Sequence, residues 1–213
     1  MILSVGKKNR NFEIIKYLVD LKIDPNLADK NGFTALMTAA CHMNPDLLTI
    51  MYMVEKGKAN VNLTKDKKKK TPLGLACGFK NYDKDVIFYL LSQKADPNIH
   101  GPYGMTPFHF FVDKHSDDEV IRYFLENHGD PNARCNDLDT VFLIYCNNVD
   151  STLEGVRLLV EHKADVNATD DFRINSIYNG KFLFLFLFFI FYFLFLFFIF
   201  YFIFIFFLKL SLF

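Results

Sequence analysis

The sequence predicts an all-α solenoid of helix–turn–helix units joined by hairpin loops, with an apolar segment at its C-terminal end. Two spacings and one break in composition predict it. Asparagines recur at Asn26, Asn62, Asn98, Asn132 and Asn167, at intervals of 36, 36, 34 and 35 residues. Threonines recur at Thr34, Thr71, Thr106 and Thr140, at intervals of 37, 35 and 34. Such a period marks stacked units that bury their apolar faces only on their neighbours. The break falls near Lys181, beyond which Phe, Leu, Ile and Tyr take over.

Residues 104–132 form the cleanest unit. Gly104 tolerates a positive-φ turn, Thr106 is a good helix N-cap, and Pro107 sits where a helix needs no N–H. Val120, Ile121, Phe124 and Leu125 share one face of a second helix. Gly129 suits the C-cap of that helix, and Asp130-Pro131-Asn132 turns the chain.

The other units follow in order. Residues 1–26 hold half a unit: Ile2 to Gly6 reads as the last turn of a first helix, and Phe12, Ile14, Ile15, Leu18 and Val19 as the apolar stripe of a second. Repeat stacks need a polar-faced terminal cap, so this half-unit is either that cap or the remainder of a longer start. The second unit runs from Asp29 through Thr34 to Asn62. The third holds Thr71-Pro72-Leu73-Gly74-Leu75-Ala76, an apolar run Val86 to Leu91, and Ala95-Asp96-Pro97-Asn98. A fifth keeps Thr140 without a following Pro, then continues through Val156 to Val160 and closes on Ala164 to Ala168.

These residues resemble the ankyrin repeat, whose signature is Gly-x-Thr-Pro-Leu-His, a Leu-Leu helix and a Gly-Ala-Asp-x-Asn turn. The resemblance covers residues 1–170 in about five units, with 171–181 a remnant of a further repeat or a linker. The ankyrin unit is ~33 residues, so these copies are slightly long; the excess is assigned to the Asn44-Pro45-Asp46 turn and the Lys65–Lys70 loop. Where the family packs small inner-helix residues, as in Ala39-Ala40 and Ala76-Cys77, the last two units carry Phe111-Val112 and Tyr145-Cys146. Larger side chains there are expected to splay the helices or alter the curvature of the stack.

The resemblance implies protein–protein binding through the hairpin tips and the concave face, with no catalysis and no cofactor. By the family's geometry the tips offer Asp29, Lys30 and Phe33; Lys67 and Lys68; Tyr103 and Met105; and Asp137 and Leu138. Exposed inner-helix positions Thr38, His42, Phe79, Phe110 and Lys114 would form the floor. The expected partner is another protein. Asn167 follows Leu159, Asp165 and Val166 in a context similar to that in which ankyrin asparagines are hydroxylated; a structural role in the hairpin backbone is the preferred reading.

Catalytic and metal-binding patterns are absent from the sequence. It has no P-loop, no GxSxG and no GxGxxG. His109 and Asp113 have i, i+4 spacing, yet His109 occupies the family's structural His position beside Thr106-Pro107. The acidic run Asp117-Asp118-Glu119 beside His115 reads as a solvated helix start favoured by the helix dipole rather than a metal site. Residues 1–180 carry 22 basic against 24 acidic side chains, so nucleic acid is not an expected partner. The local exception is Lys65 to Lys70, a basic hairpin tip suited to an acidic surface or to a solvated loop. Cys41, Cys77, Cys135 and Cys146 form no CxxC pair and read as free thiols of a reducing compartment.

Residues 182–208 are 27 consecutive apolar side chains: 15 Phe, 6 Leu, 4 Ile and 2 Tyr. About 20 apolar residues cross a bilayer, so one reading is a C-terminal membrane anchor with the repeats facing the cytosol. The rival reading is translated non-coding sequence, since all four residue types can be encoded by T and A alone. The expected location is cytoplasmic, or membrane-anchored facing the cytosol. The alternative functions are a tail-anchored membrane adaptor or a fragment of a larger ankyrin-bearing membrane protein or enzyme.

Overall fold

The structure is a computed structural model that describes residues 11–42, 45–78 and 81–171. The tail 182–208, the start at Ile2 to Gly6, Asn44 and Phe79 lie outside the described residues, and with them both readings of the tail. Among the described residues no helix is long and apolar enough to cross a membrane.

Nine helices are described: α1 (Asn11–Asp20), α2 (Ala35–Ala40), α3 (Leu47–Glu55), α4 (Pro72–Cys77), α5 (Lys84–Ser92), α6 (Pro107–Lys114), α7 (Asp118–Glu126), α8 (Val141–Asn147) and α9 (Leu153–Glu161). The even-numbered helices stack one on the next as an inner layer, and the odd-numbered ones as an outer layer. Helices of 6 residues, such as α2 and α4, are too short to persist alone; packing between the layers holds them. The core is one continuous cluster from Ile15 to Ala164. In α1, Ile15 and Val19 face it, whereas Ile14, expected in the same stripe, stands 46% exposed. The hairpins add one isolated bridge among the described residues, between Arg134 and Thr140.

The recurring threonines start the inner helices. Each takes extended backbone, and its hydroxyl accepts from an N–H three residues on: Thr34 from Met37 at 3.2 Å, Thr71 from Gly74 at 3.0 Å, Thr106 from His109 at 3.3 Å, Thr140 from Leu143 at 3.1 Å. Outer helices α3, α5 and α7 are capped by Asp46, Asp83 and Asp117, and α9 by Thr152. Orphan N–H groups at each helix start are thereby partnered.

The recurring asparagines join one repeat to the next. Asn26 accepts from the Asn60 N–H at 2.7 Å and donates to the Lys58 carbonyl at 3.3 Å. Asn62 treats Asp96 and Lys94 alike, at 2.8 and 3.0 Å. Asn98 does the same to Asp130 and His128, at 2.9 and 2.8 Å, and Asn132 to Asp165 and Lys163, at 2.7 and 2.9 Å. Two residues before each asparagine a side-chain oxygen (of Asp24, Asn60, Asp96, Asp130 or Asp165) accepts its N–H at 2.8–2.9 Å. The fork is formed by Asn26, Asn62, Asn98 and Asn132 and repeats with the period seen in the sequence; for Asn167 the described contact is its N–H to Asp165.

One cap differs from expectation. The left-handed residue after α7 is His128, with φ 67°, and its equivalents are Lys22, Lys58, Lys94 and Lys163. Gly129 instead takes the slot that Ala59, Ala95 and Ala164 occupy buried in other units. A Cβ at Gly129 would stand 3.1 Å from Phe108 Cδ1 and 2.9 Å from the Phe124 carbonyl. Space against Phe108, rather than backbone freedom, is what this glycine supplies.

The bulky inner residues are absorbed within the core. Phe111, Val112, Tyr145 and Cys146 are all buried. Phe111 packs on Tyr82 with ring centroids 5.3 Å apart and on Phe124 at 5.8 Å. Tyr145 reaches across its own repeat: its hydroxyl accepts from the Thr152 N–H at 3.0 Å. The room for it comes from Gly155 in α9, where a Cβ would land on the Tyr145 hydroxyl.

His109 completes a capping box with Thr106. Its Nδ1 accepts from the Thr106 N–H at 3.1 Å, while Nε2 faces the Asp139 carbonyl at 3.3 Å. The ring is therefore neutral, with its proton on Nε2. Burial pushes its pKa down from 6.5 to about 4, against the opposing pull of the Asp139 and Ala133 backbone.

Two stability predictions follow from these contacts. Gly→Ala in an exposed helix interior ordinarily stabilises by about 0.5–1 kcal/mol. Gly155→Ala is expected to do the reverse, costing about 1–3 kcal/mol through overpacking. Tyr145→Phe in the same chain should recover part of that loss, read as coupling in a double-mutant cycle. For His109 the folded pKa lies below the unfolded value. Its contribution is whole above pH 6.5 and is lost as pH falls toward 4. Denaturant unfolding should show about 2 kcal/mol lost between pH 7 and pH 5, and a His109→Gln chain should be less stable at pH 7 with a flatter profile.

Candidate protein-interaction surface

Turns at the hairpin tips are built by the same backbone logic as the caps. Asp29 accepts from the Asn31 and Phe33 N–H groups at 2.8 and 2.9 Å, and Asp66 accepts from Lys70 N–H at 2.6 Å. These bonds, led by that from Phe33, hold the exposed Asp29 carboxyl below its ordinary range. Positive φ recurs at equivalent tip positions: Gly32 (84°), Lys69 (52°), Gly104 (68°) and Leu138 (62°). Tips also abut. A Cβ on Gly32 would run into the Asp66 backbone, and one on Gly104 would land on Asn136. The Tyr103 carbonyl accepts from Asn136 N–H at 3.0 Å, and the Asp137 carbonyl from Asp171 N–H at 3.1 Å. The tips therefore form a continuous row fixed to the stack.

Most residues assigned to this surface from the sequence lie on it. Asp29, Lys30, Lys67, Lys68, Asp137 and Leu138 are exposed at the tips, and Tyr103 is 72% exposed. Asp29 is a turn-building residue as well as a candidate contact. Phe33 and Met105 are half-buried; Lys70 Nζ sits 5.0 Å above the Phe33 ring, a cation–π pair. On the floor, Thr38 is half-buried and donates to the Thr34 carbonyl at 3.0 Å. His42 is not on the inner helix as expected, because α2 ends at Ala40 and is capped by Cys41. Phe110 is half-buried and Lys114 exposed, its ammonium 3.3 Å from Asp113. Phe79 lies outside the described residues.

Five of these residues, Lys68, Tyr103, Met105, Phe110 and Lys114, meet around one cavity of about 320 Å³ between the Lys67 and Tyr103 hairpins and helices α4 and α6. Lys69, Lys70, Leu75 and Ile99 line it too, with Gly74 and Gly78 opening its wall. The sequence pointed to Lys69 and Lys70 as part of the basic Lys65–Lys70 tip, and missed Leu75, Ile99, Gly74 and Gly78. The available signal was Gly74, which stands where the fourth unit has His109.

Groups that suggested chemistry are engaged in structure. Asp117 caps α7 and accepts from the Tyr82 hydroxyl at 2.9 Å; Asp118 accepts from Thr152 Oγ1 at 2.6 Å; Glu119 meets Lys84 at 2.6 Å. The acidic start of α7 is thus a set of contacts between repeats, not a merely solvated face. Among the described residues no group of three His, Cys, Asp or Glu side chains could hold a metal ion. All four cysteines are free thiols. Burial raises the Cys77 and Cys41 thiols, and pushes Cys146 up to about 12, which leaves little nucleophilic thiolate.

Comparisons with known proteins agree with this architecture. A family profile described as ankyrin repeats (3 copies) matches residues 2–100 and 75–170. Among curated relatives, the ankyrin repeat, SAM and basic leucine zipper domain-containing protein 1 of Ovis aries is 32% identical over 100 residues, covering 46% of this chain and 20% of the relative. Its counterparts from Mus musculus and Oryctolagus cuniculus are 32% and 30% identical over 117 residues, covering 49% of this chain and 24% of each relative. The matched region thus spans a fifth to a quarter of the relatives' length. Capped inner helices, abutting hairpins, asparagine links and the family match together show that the chain belongs to the ankyrin-repeat family.

Proposed function

We infer that this array binds a partner protein through its hairpin tips and the adjoining inner-helix face, and that it does so without catalysis. Ankyrin repeats are in general protein-interaction modules. The observation that carries the reading here is the row of hairpin tips, each held to the next repeat and each presenting exposed side chains. Neighbouring outer helices are tied by side chains: Tyr52 donates to Asp20 at 2.7 Å, Tyr89 to Glu55 at 3.3 Å, Lys84 pairs with Glu119, and Arg122 with Glu154 at 3.3 Å, while Tyr17, Leu48 and Leu153 stand exposed among them. Phe88 and Tyr123 pack between repeats there, with centroids 4.5 Å apart and the rings tilted by 50°. On the hairpin side, the asparagine forks and the Asp29 and Asp66 carboxylates hold the turns, and Tyr103, Lys67, Lys68 and Leu138 project from the row so fixed. Exposed aromatic and aliphatic side chains on rigid turns are suited to anchoring a partner. The absence of catalysis is supported by the engagement of His109 and the α7 carboxylates in caps and repeat contacts. Four free thiols favour a reducing compartment such as the cytosol.

A photo-crosslinking residue placed at Tyr103 or Leu138 in the source cells should capture a discrete partner. The same residue at Ser92 or Glu126, exposed on outer helices, should capture none. Tyr103→Ala is expected to weaken that capture about tenfold with the thermal midpoint unchanged. Capture from the outer positions and not from the tips would overturn the reading.

A further inference from the structure

Three residues after the capping threonine the units carry Met37, Gly74, His109 and Leu143, and the cavity lies beside the glycine. In the fourth unit, His109 fills the space between the Thr106 cap, the Ala133 backbone and the Asp139 carbonyl. The equivalents in the third unit are Thr71, Ile99 and Met105, and all three line the cavity. The histidine slot itself holds Gly74, whose nearest neighbours beyond its own cap are Pro107 Cγ and Phe110 Cδ2, at 3.7 and 3.9 Å from a built Cβ. The lack of a side chain at Gly74 leaves an opening of about 320 Å³. Its floor is apolar, formed by Leu75, Ile99 and Phe110, while its rim carries Lys68, Lys69 and Lys114. No carboxylate lines it; Asp113 lies outside, against Lys114, and Asp66 is engaged with the Lys70 N–H.

We propose that this cavity receives one large apolar side chain of the partner, presented within an acidic extended segment whose carboxylates meet the lysine rim. The proposal rests on the protein-interaction reading above and names the kind of partner. Charge complementarity selects the occupant: an apolar floor takes a Phe or Leu side chain, and a rim of one sign takes residues of the other on both flanks. The size suits it, at the lower end of ligand pockets, which run from about 300 to 1,000 Å³. Lys70 is held over Phe33, so the rim is anchored to the preceding hairpin and adjoins the Tyr103 tip.

The test is titration of the full chain against a labelled synthetic peptide carrying one phenylalanine flanked on both sides by glutamates. Two control peptides replace the phenylalanine with alanine or the glutamates with lysines. The first peptide should bind at least about tenfold more tightly than either control, and the preference over the lysine-flanked control should shrink as salt rises. Gly74→His should close the cavity and abolish binding without loss of thermal stability, because the same imidazole already fits at His109. Lys68→Glu with Lys69→Glu gives a second variant, wholly on the surface, and should weaken binding of the glutamate peptide. Equal binding of all three peptides, no binding, or binding that survives Gly74→His would overturn the proposal. Should crosslinking at Tyr103 capture a partner that Gly74→His does not affect, the cavity fails as the docking point while the interaction reading stands.

Discussion

The rest of the structure depends on the asparagine that closes each unit and reaches into the next. Its amide is a fork, one arm accepting and one donating. It holds the two backbone groups flanking the following turn: the carbonyl of the left-handed residue, and the N–H two positions beyond. Hydrophobic burial alone does not specify register between short helices, because apolar contact is non-directional. A two-point hydrogen bond does, and its repetition across four junctions sets the offset of every repeat relative to its neighbour. Once register is set, the tips abut at Gly32 and Gly104, and the outer helices meet in pairs such as Arg122 with Glu154. The surface described above is downstream of that one contact.

A surface made by repetition would be uniform, and uniformity carries no specificity. What distinguishes this array is where a unit breaks its own rule. Gly74 stands where the other units carry Met37, His109 and Leu143, and opens a cavity; Lys69 and Leu138 stand at a positive-φ position that Gly32 and Gly104 occupy elsewhere. Non-glycine residues in that conformation cost roughly 1–2 kcal/mol each. At the tips, the cost brings a lysine and a leucine to the outermost point of their hairpins. Tyr103, with φ 59°, belongs with them. Strain held by a rigid scaffold at exposed positions is consistent with a contact role.

Much of the fold was legible because its determinants are local and periodic. Thr106-Pro107 specifies a helix start from two residues, and the apolar stripe of α7 is readable as spacing alone. Side-chain destinations were less so. Gly129 looks like a helix cap, yet its reason is Phe108, 21 positions earlier in the chain. Tyr145 looks too large for an inner helix until Gly155 is seen opposite it. His42 extends the helical spacing two residues too far, since α2 closes at Ala40. Most of the candidate surface was readable as a row of tips. That five of its residues share one cavity was not, because the cavity is defined by what Gly74 lacks, and spacing rules register residues that are present.

The direction of the asparagine link also shapes how the array responds to damage. Each fork acts forward, on the turn of the following repeat, so Lys58, Lys94, His128 and Lys163 keep their left-handed carbonyls partnered only while the preceding unit is folded. Four strained turns are thereby made conditional on their N-terminal neighbours. In a quasi-one-dimensional stack this adds to the nearest-neighbour term at the expense of each repeat's own stability. Cooperativity then comes from the same geometry that aligns the tips. A binding surface spread over the Lys67 and Tyr103 hairpins would be lost as a unit if either repeat opened, which gives the chain a physical reason to keep strained lysines where a glycine would relax each turn by itself.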